Sequence, residues 1–187
     1  MYINYEVAQI FKRLLSKFDK SFRNAFVDGG YLYASNGHMA LVYRINELEW
    51  YTRPEGWEST LVMTASAFAD MKKCDKYASI NVAKVEDVNP YMWWTADQFF
   101  DRTINKAKVR AAVKAGKPAS GFHFDWKTLS ALGDSLDWAC FEYPIFDDEL
   151  PGLLLVNKRM DMFAISTPFK QGDESDAEYI INRTIGE

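Results

Sequence analysis

Two histidines, one run of acids and three groups of cations are the side chains of this 187-residue chain whose types and spacing could do chemistry. His38 closes the turn Ala34-Ser35-Asn36-Gly37-His38. A histidine there could carry a proton near neutral pH, but the turn lacks the GxSxG frame of a serine nucleophile. His123 sits between Phe122 and Phe124 in a strand-like stretch, where a packed structural histidine is the better reading. Asp147-Asp148-Glu149 offers oxygens to a hard cation, yet consecutive acids in a turn point in different directions, as a merely solvated turn would. Cys74 and Cys140 stand apart, outside any CxxC or Cys/His spacing, and read as reduced, buried thiols. There is no P-loop and no dinucleotide fingerprint. These patterns predict no enzyme, no metal site and no cofactor; the rival enzyme is a small metal-dependent hydrolase built on the acidic turn.

The cations are better organised. Arg102, Lys106, Arg110 and Lys114 recur every four residues between a capping-box start at Thr95-Ala96-Asp97-Gln98 and a stop at Gly116-Lys117-Pro118. At 1.5 Å per residue they make a stripe about 18 Å long, and no acid falls between Asp101 and Asp125. The apolar face of that helix, Phe100, Ile104, Ala107 and Ala111, is thin. A helix with little to bury and a stripe of one sign suits a polyanion; an exposed solubilising helix explains it equally well. Residues 5–20 predict a second helix, with Val7, Ile10, Phe11, Leu14, Leu15 and Phe18 on one stripe and Lys12, Arg13, Lys20 and Arg23 behind it. A third basic group, Lys72, Lys73 and Lys76, falls at the end of a short helix predicted from a Thr64 N-cap, where cations suit the helix dipole. The net charge is −4, but residues 1–117 hold 17 Lys and Arg against 13 Asp and Glu, whereas 118–187 hold 5 against 13. A phosphate backbone responds to a local face rather than to the total.

The elements that must position these groups follow from strand and turn grammar. Ala25–Ile45 predicts a three-strand antiparallel meander: Asp28-Gly29-Gly30 and Asn36-Gly37 tolerate the positive φ of tight turns, and Tyr31–Ala34 and Met39–Ile45 read as strands. Residues 46–58 read as a loop. Thr60–Met63 and Ala78–Val85 read as strands flanking the short helix. The grammar returns after 121: strand Phe122–Phe124, N-cap Asp125, helix Trp126–Leu136, then strands at Ala139–Tyr143, Leu153–Asn157 and Met162–Thr167. The expected class is α+β, with repeated strand-helix-strand units, antiparallel sheets outside and helices on one face. The 48% apolar content excludes disorder, no apolar run approaches the roughly 20 residues of a membrane helix, and the expectation is a soluble, cytoplasmic protein.

At these residues the chain resembles the DNA sliding clamps of the bacterial polymerase III beta-subunit type. Ala34-Ser35-Asn36-Gly37-His38 with Met39-Ala40-Leu41 is similar to the family's Ala-Thr-Asp-Gly-His-Arg-Leu hairpin end. Ser59–Lys73 resembles the strand and helix that follow it, and Gly121–Lys170 the final half-domain with its closing apolar strand. The resemblance implies a processivity factor of reduced, phage or mobile-element type. It would be a homo-oligomer that holds duplex DNA without sequence preference and tethers a DNA polymerase or other replication protein. It assigns residues 1–94 to a clamp-like domain, 95–118 to a basic helical connector and 119–187 to a clamp-like half-domain with a polar tail. DNA would meet Lys12, Arg13, Lys20, Arg23, Lys72, Lys73, Arg102, Lys106, Arg110 and Lys114. A partner would meet Ser35, Gly37, His38 and Met39 on one wall, and Ile165, Thr167 and Pro168 on the other. Met39 departs from the family's Arg and Thr167 from its Met. The alternative is a clamp-fold interaction protein, a host-protein binder or DNA mimic, that does not bind DNA.

Overall fold

The computed structural model describes residues 1–28, 30–36, 39–45, 61–84, 111, 112, 114, 115, 126–133, 138–146, 150–159 and 161–166. The chain opens with β1 (Tyr2–Asn4) and α1 (Tyr5–Lys17). Asn4 caps α1, its Oδ1 accepting from the Glu6 and Val7 amides at 2.9 and 3.4 Å, which satisfies two of the four amides a helix start leaves open. The meander follows as β2 (Asn24–Asp28), β3 (Tyr31–Ser35) and β4 (Met39–Arg44), with Gly30 at φ 82 supplying the positive φ of the first turn. Then come β5 (Leu61–Thr64), α2 (Ala65–Ala69), β6 (Lys72–Cys74), β7 (Tyr77–Ser79) and β8 (Ala83–Lys84). The described elements end with α3 (Trp126–Leu129), β9 (Trp138–Phe146), β10 (Leu150–Asn157) and β11 (Met162–Ser166).

All strand pairs are antiparallel, in a three-stranded sheet β1-β7-β6 and an eight-stranded sheet β8-β5-β2-β3-β4-β11-β10-β9. The fold is α+β and rich in antiparallel sheet. The seam between the meander and the C-terminal strands is β4 against β11, in register from Met162↔Tyr43 to Ser166↔Met39. Both faces of the large sheet are buried. One carries Val27, Leu32, Leu41, Met63 and Leu155 against the stripe of α1. The other carries Phe26, Tyr33, Val42, Val62, Leu154 and Ile165. Strand side chains alternate between faces, so a run such as Met39–Tyr43, buried at every position, marks a sheet covered on both sides. No helix among the described residues is long and apolar enough to cross a membrane.

Three expectations are corrected. The first helix stops at Lys17, because Phe18 turns extended and Lys20–Phe22 forms a separate 3-10 turn. Lys20 and Arg23 are therefore off the α1 face. The helix after Thr64 stops at Ala69, and Lys72 and Lys73 lie on strand β6, paired with Ser79 and Ala78. Tertiary pairing has overridden the helix propensity of lysine. Nor do all helices share one face: Ala111, Ala112, Lys114 and Ala115 are helical, and Ala112 is buried in the cluster opposite α1. A face carrying Phe26, Val42 and Leu154 cannot stay open to water without leaving a large apolar patch.

Candidate nucleic-acid interface

α1 is wedged on the large sheet with α2 and α3 beside it, and its basic side chains reach those neighbours. Lys12 Nζ donates to the carbonyl of Ala69, the last residue of α2, at 3.3 Å. Arg13 Nε donates to the Ala131 carbonyl, one turn beyond α3, at 3.0 Å. Arg23 Nε donates to the carbonyl of Phe18, the C-cap of α1, at 2.9 Å. Each acceptor sits where a helix leaves carbonyls unpaired and the dipole favours a cation. Three of the cations expected to meet phosphate thus also close helix ends. A guanidinium so engaged keeps further donors. Gly133 completes the Arg13 contact: its φ is 66, and a Cβ there would lie 3.2 Å from the Arg13 guanidinium.

Arg13, Lys20, Lys72, Lys73 and Lys114 are exposed. Lys114 stands two helical residues from buried Ala112, about 200° round the helix, and so points away from the sheet. Arg102, Lys106 and Arg110 lie outside the described residues. Lys17, exposed on the last turn of α1, is a cation the sequence reading passed over, although its spacing of four from Arg13 was the signal. On the solvent side of α1 the cations Lys12, Arg13 and Lys17 face one acid, Glu6, in the first turn.

The expected partner-binding residues are brought together only in part. Ser35, Ala40 and Ile165 stand opposite one another across β3, β4 and β11, so they share one face. Met39 pairs with Ser166 and packs on the other face, against the α1 core. Ser35, Met39 and Ile165 are all buried, at 4%, 2% and 0% exposure. Met39 and Ile165 therefore do not form facing walls of one pocket, because a one-residue step along a strand reverses the face. Asn36 fixes the hairpin end, its Oδ1 accepting from the Met39 amide at 2.8 Å. Gly37, His38, Thr167 and Pro168 lie outside the described residues, as do His123 and Asp147–Glu149.

Among the described residues no group of His, Cys, Asp and Glu is placed to hold a metal ion. The cysteines differ from expectation in one respect: Cys140 is buried, but Cys74 is exposed on β6. Burial pushes the Cys140 thiol up to about 11. A thiol reagent at pH 8 is expected to modify Cys74 rapidly and Cys140 only after unfolding, counted by absorbance with and without denaturant. The sign follows for stability: the unfolded thiol ionises first, so the Cys140 contribution is full below about pH 9 and declines as pH rises through about 11.

A second constellation was not foreseen. Tyr5 begins α1, and its amide donates to the Lys76 carbonyl at 2.9 Å, tying the β6–β7 turn to the helix start. Lys73 Nζ lies 4.8 Å from the Tyr5 ring centroid, and Lys76 Nζ lies 5.3 Å from that of Tyr77. These residues line an open cleft of about 470 Å³ whose far wall is the β10–β11 turn. No local pattern marks it, since its walls come from opposite ends of the chain.

No family model matches the chain, and none of the curated proteins does. Among solved structures it is similar to the one described as the C-terminal region of FEN-1 bound to A. fulgidus PCNA. The match covers 92% of this chain and 98% of that chain at 9% identity, with a TM-score of 0.43. At that level neither fold family nor partner is transferred.

Proposed function

We propose that the chain is a clamp-like, non-enzymatic protein that holds duplex DNA through its cationic helix faces and tethers a replication partner. The observation that carries this reading is the solvent side of α1, where Lys12, Arg13 and Lys17 outnumber Glu6. Lys20 is exposed just after α1 in the chain, and Lys72 and Lys73 are exposed on β6 of the small sheet. Such a surface neutralises phosphates and reads no bases, so the binding has no sequence preference. The resemblance of Ala34–Leu41 to the sliding-clamp hairpin end supplies the tethering role and the expectation of a homo-oligomer, with residues 1–94 and 119–187 as its clamp-like units.

The test is fluorescence anisotropy of a labelled duplex against salt. Affinity is expected to fall steeply between 50 and 200 mM salt, with each phosphate contact adding about 0.9 to the log–log slope. Lys17→Glu should weaken binding and flatten that slope. Affinity indifferent to salt overturns the phosphate reading. The acidic balance of residues 118–187, 13 acids against 5 cations, favours a second reading, an interaction protein or DNA mimic that does not bind DNA. Undetectable duplex binding, with charge-reversed variants still active toward a protein partner, selects it. Mass measured in solution with and without duplex separates a ring from a monomer.

A further inference from the structure

The cleft beside the small sheet is assembled with more structure than a chance surface hollow. Three segments meet there. The first is the start of α1, with Tyr5 and Glu6. The second is the two-residue turn of β6–β7, where Asp75 adopts φ 57, a left-handed conformation that aspartate tolerates better than most residues. The third is the β10–β11 turn, which carries Arg159 and is held by a buried side chain. Asn157 Oδ1 accepts from the amides of Asp161 and Met162 at 3.1 and 3.0 Å, while its amide donates to the Asp161 carboxylate. Tyr43 of β4 also lines the cleft.

The lining chemistry is specific. Lys73, Lys76 and Arg159 bring three cations; Glu6, Asp75 and Asp161 bring three carboxylates; Tyr5 and Tyr77 bring rings, each with a lysine ammonium over it, while Tyr43 is only 3% exposed. The formal charges cancel, so the cleft does not draw a simple anion from a distance. A ligand satisfies the whole set only if it carries an anionic group for the cations, donors for the carboxylates and a flat surface for the rings. The volume, about 470 Å³, lies in the range of small-ligand sites, about 300–1,000 Å³.

We propose that this cleft binds a nucleotide unit: phosphate against Arg159 and Lys76, base amine or sugar hydroxyls toward Glu6 and Asp75, and the base against the Tyr77 ring, taking the place over it that the Lys76 ammonium holds in the structure as that ammonium turns to the phosphate. Base stacking on aromatic side chains tolerates any sequence, and Arg159 offers a planar fork to a phosphate. The unit comes either as a free nucleotide or as part of a single strand. The site adjoins the α1 surface invoked for duplex DNA, sharing the start of α1 and Lys73 with it, so the variants below leave out Lys73 and every residue of α1.

Calorimetric titration of the full chain tests it with three probes: adenosine monophosphate, adenosine, and a ten-nucleotide deoxyadenosine oligomer. The monophosphate is expected to bind, and adenosine to bind at least about tenfold more weakly because the charge-assisted contacts are lost. The pair Lys76→Ala with Arg159→Ala should weaken the monophosphate at least about tenfold and leave adenosine unchanged. Both side chains are exposed, so the variant keeps the fold, checked by an unchanged thermal transition. Tyr77→Leu should weaken all three probes. Tighter binding of the oligomer than of the monophosphate identifies a strand as the source, and equal affinity identifies the free nucleotide. No binding of either phosphate-bearing probe at millimolar concentration overturns the proposal, as does equal binding to the double variant. Neither result bears on duplex binding by α1, read separately from its salt slope.

Discussion

Phe11→Ala is expected to lower the stability of the protein by about 3–5 kcal/mol. Phe11 is fully buried on the apolar stripe of α1 and stacks on Phe68 of α2, with ring centroids 6.1 Å apart and planes 11° off parallel. Its removal deletes an aromatic contact between the two helices and leaves a cavity between them and the sheet. Small domains have a net stability of only about 5–15 kcal/mol, so the loss would show as a large fall in the urea midpoint. The pair also has a measurable coupling. Phe11→Ala, Phe68→Ala and the double variant should be non-additive by about 0.5–1.5 kcal/mol if the stacked rings interact beyond their burial. Additive losses would mean that the two rings only fill volume. Under the proposed function, loosening α1, which carries Lys12, Arg13 and Lys17, should also weaken duplex binding, with the salt slope recording how many phosphate contacts survive.

Ile165→Ala should cost about 2–5 kcal/mol. This residue was expected to wall a partner pocket, yet it is fully buried on β11, opposite Ala40, in the cluster that includes Phe26, Val42 and Leu154. Truncation therefore acts on the seam that joins the meander to the C-terminal strands. Chemical denaturation should show the loss before any partner is added. A variant of unchanged stability with reduced partner affinity would restore Ile165 to the surface role. Ser35, on the same row at 4% exposure, gives an independent reading: Ser35→Ala removes no apolar volume and should change stability far less than Ile165→Ala.

Much of the local structure was legible because it depends on near neighbours. The α1 stripe is written in three-and-four spacing, and Val7, Ile10, Phe11, Leu14 and Leu15 are buried as that spacing requires. The meander is written in its turn residues, and its strands fall at 24–28, 31–35 and 39–44. The Thr64 cap also holds, its hydroxyl accepting from the Ala67 amide at 3.2 Å. The end of that helix was not legible. Lys72, Lys73 and Cys74 suit a helix as well as a strand, and pairing with Tyr77–Ser79 decides between them.

What the amino-acid order determined by itself, then, is the type and place of most elements and the sign of the charge on α1. Only the tertiary structure decided that both sheet faces are covered, that Met39 and Ile165 point to opposite sides, and that Tyr5, Lys76 and Arg159 share a cleft. Periodicity and capping are carried by hydrogen bonds between residues a few positions apart. The β4–β11 seam joins strands separated by most of the chain, and its register is set by apolar burial on the two faces at once.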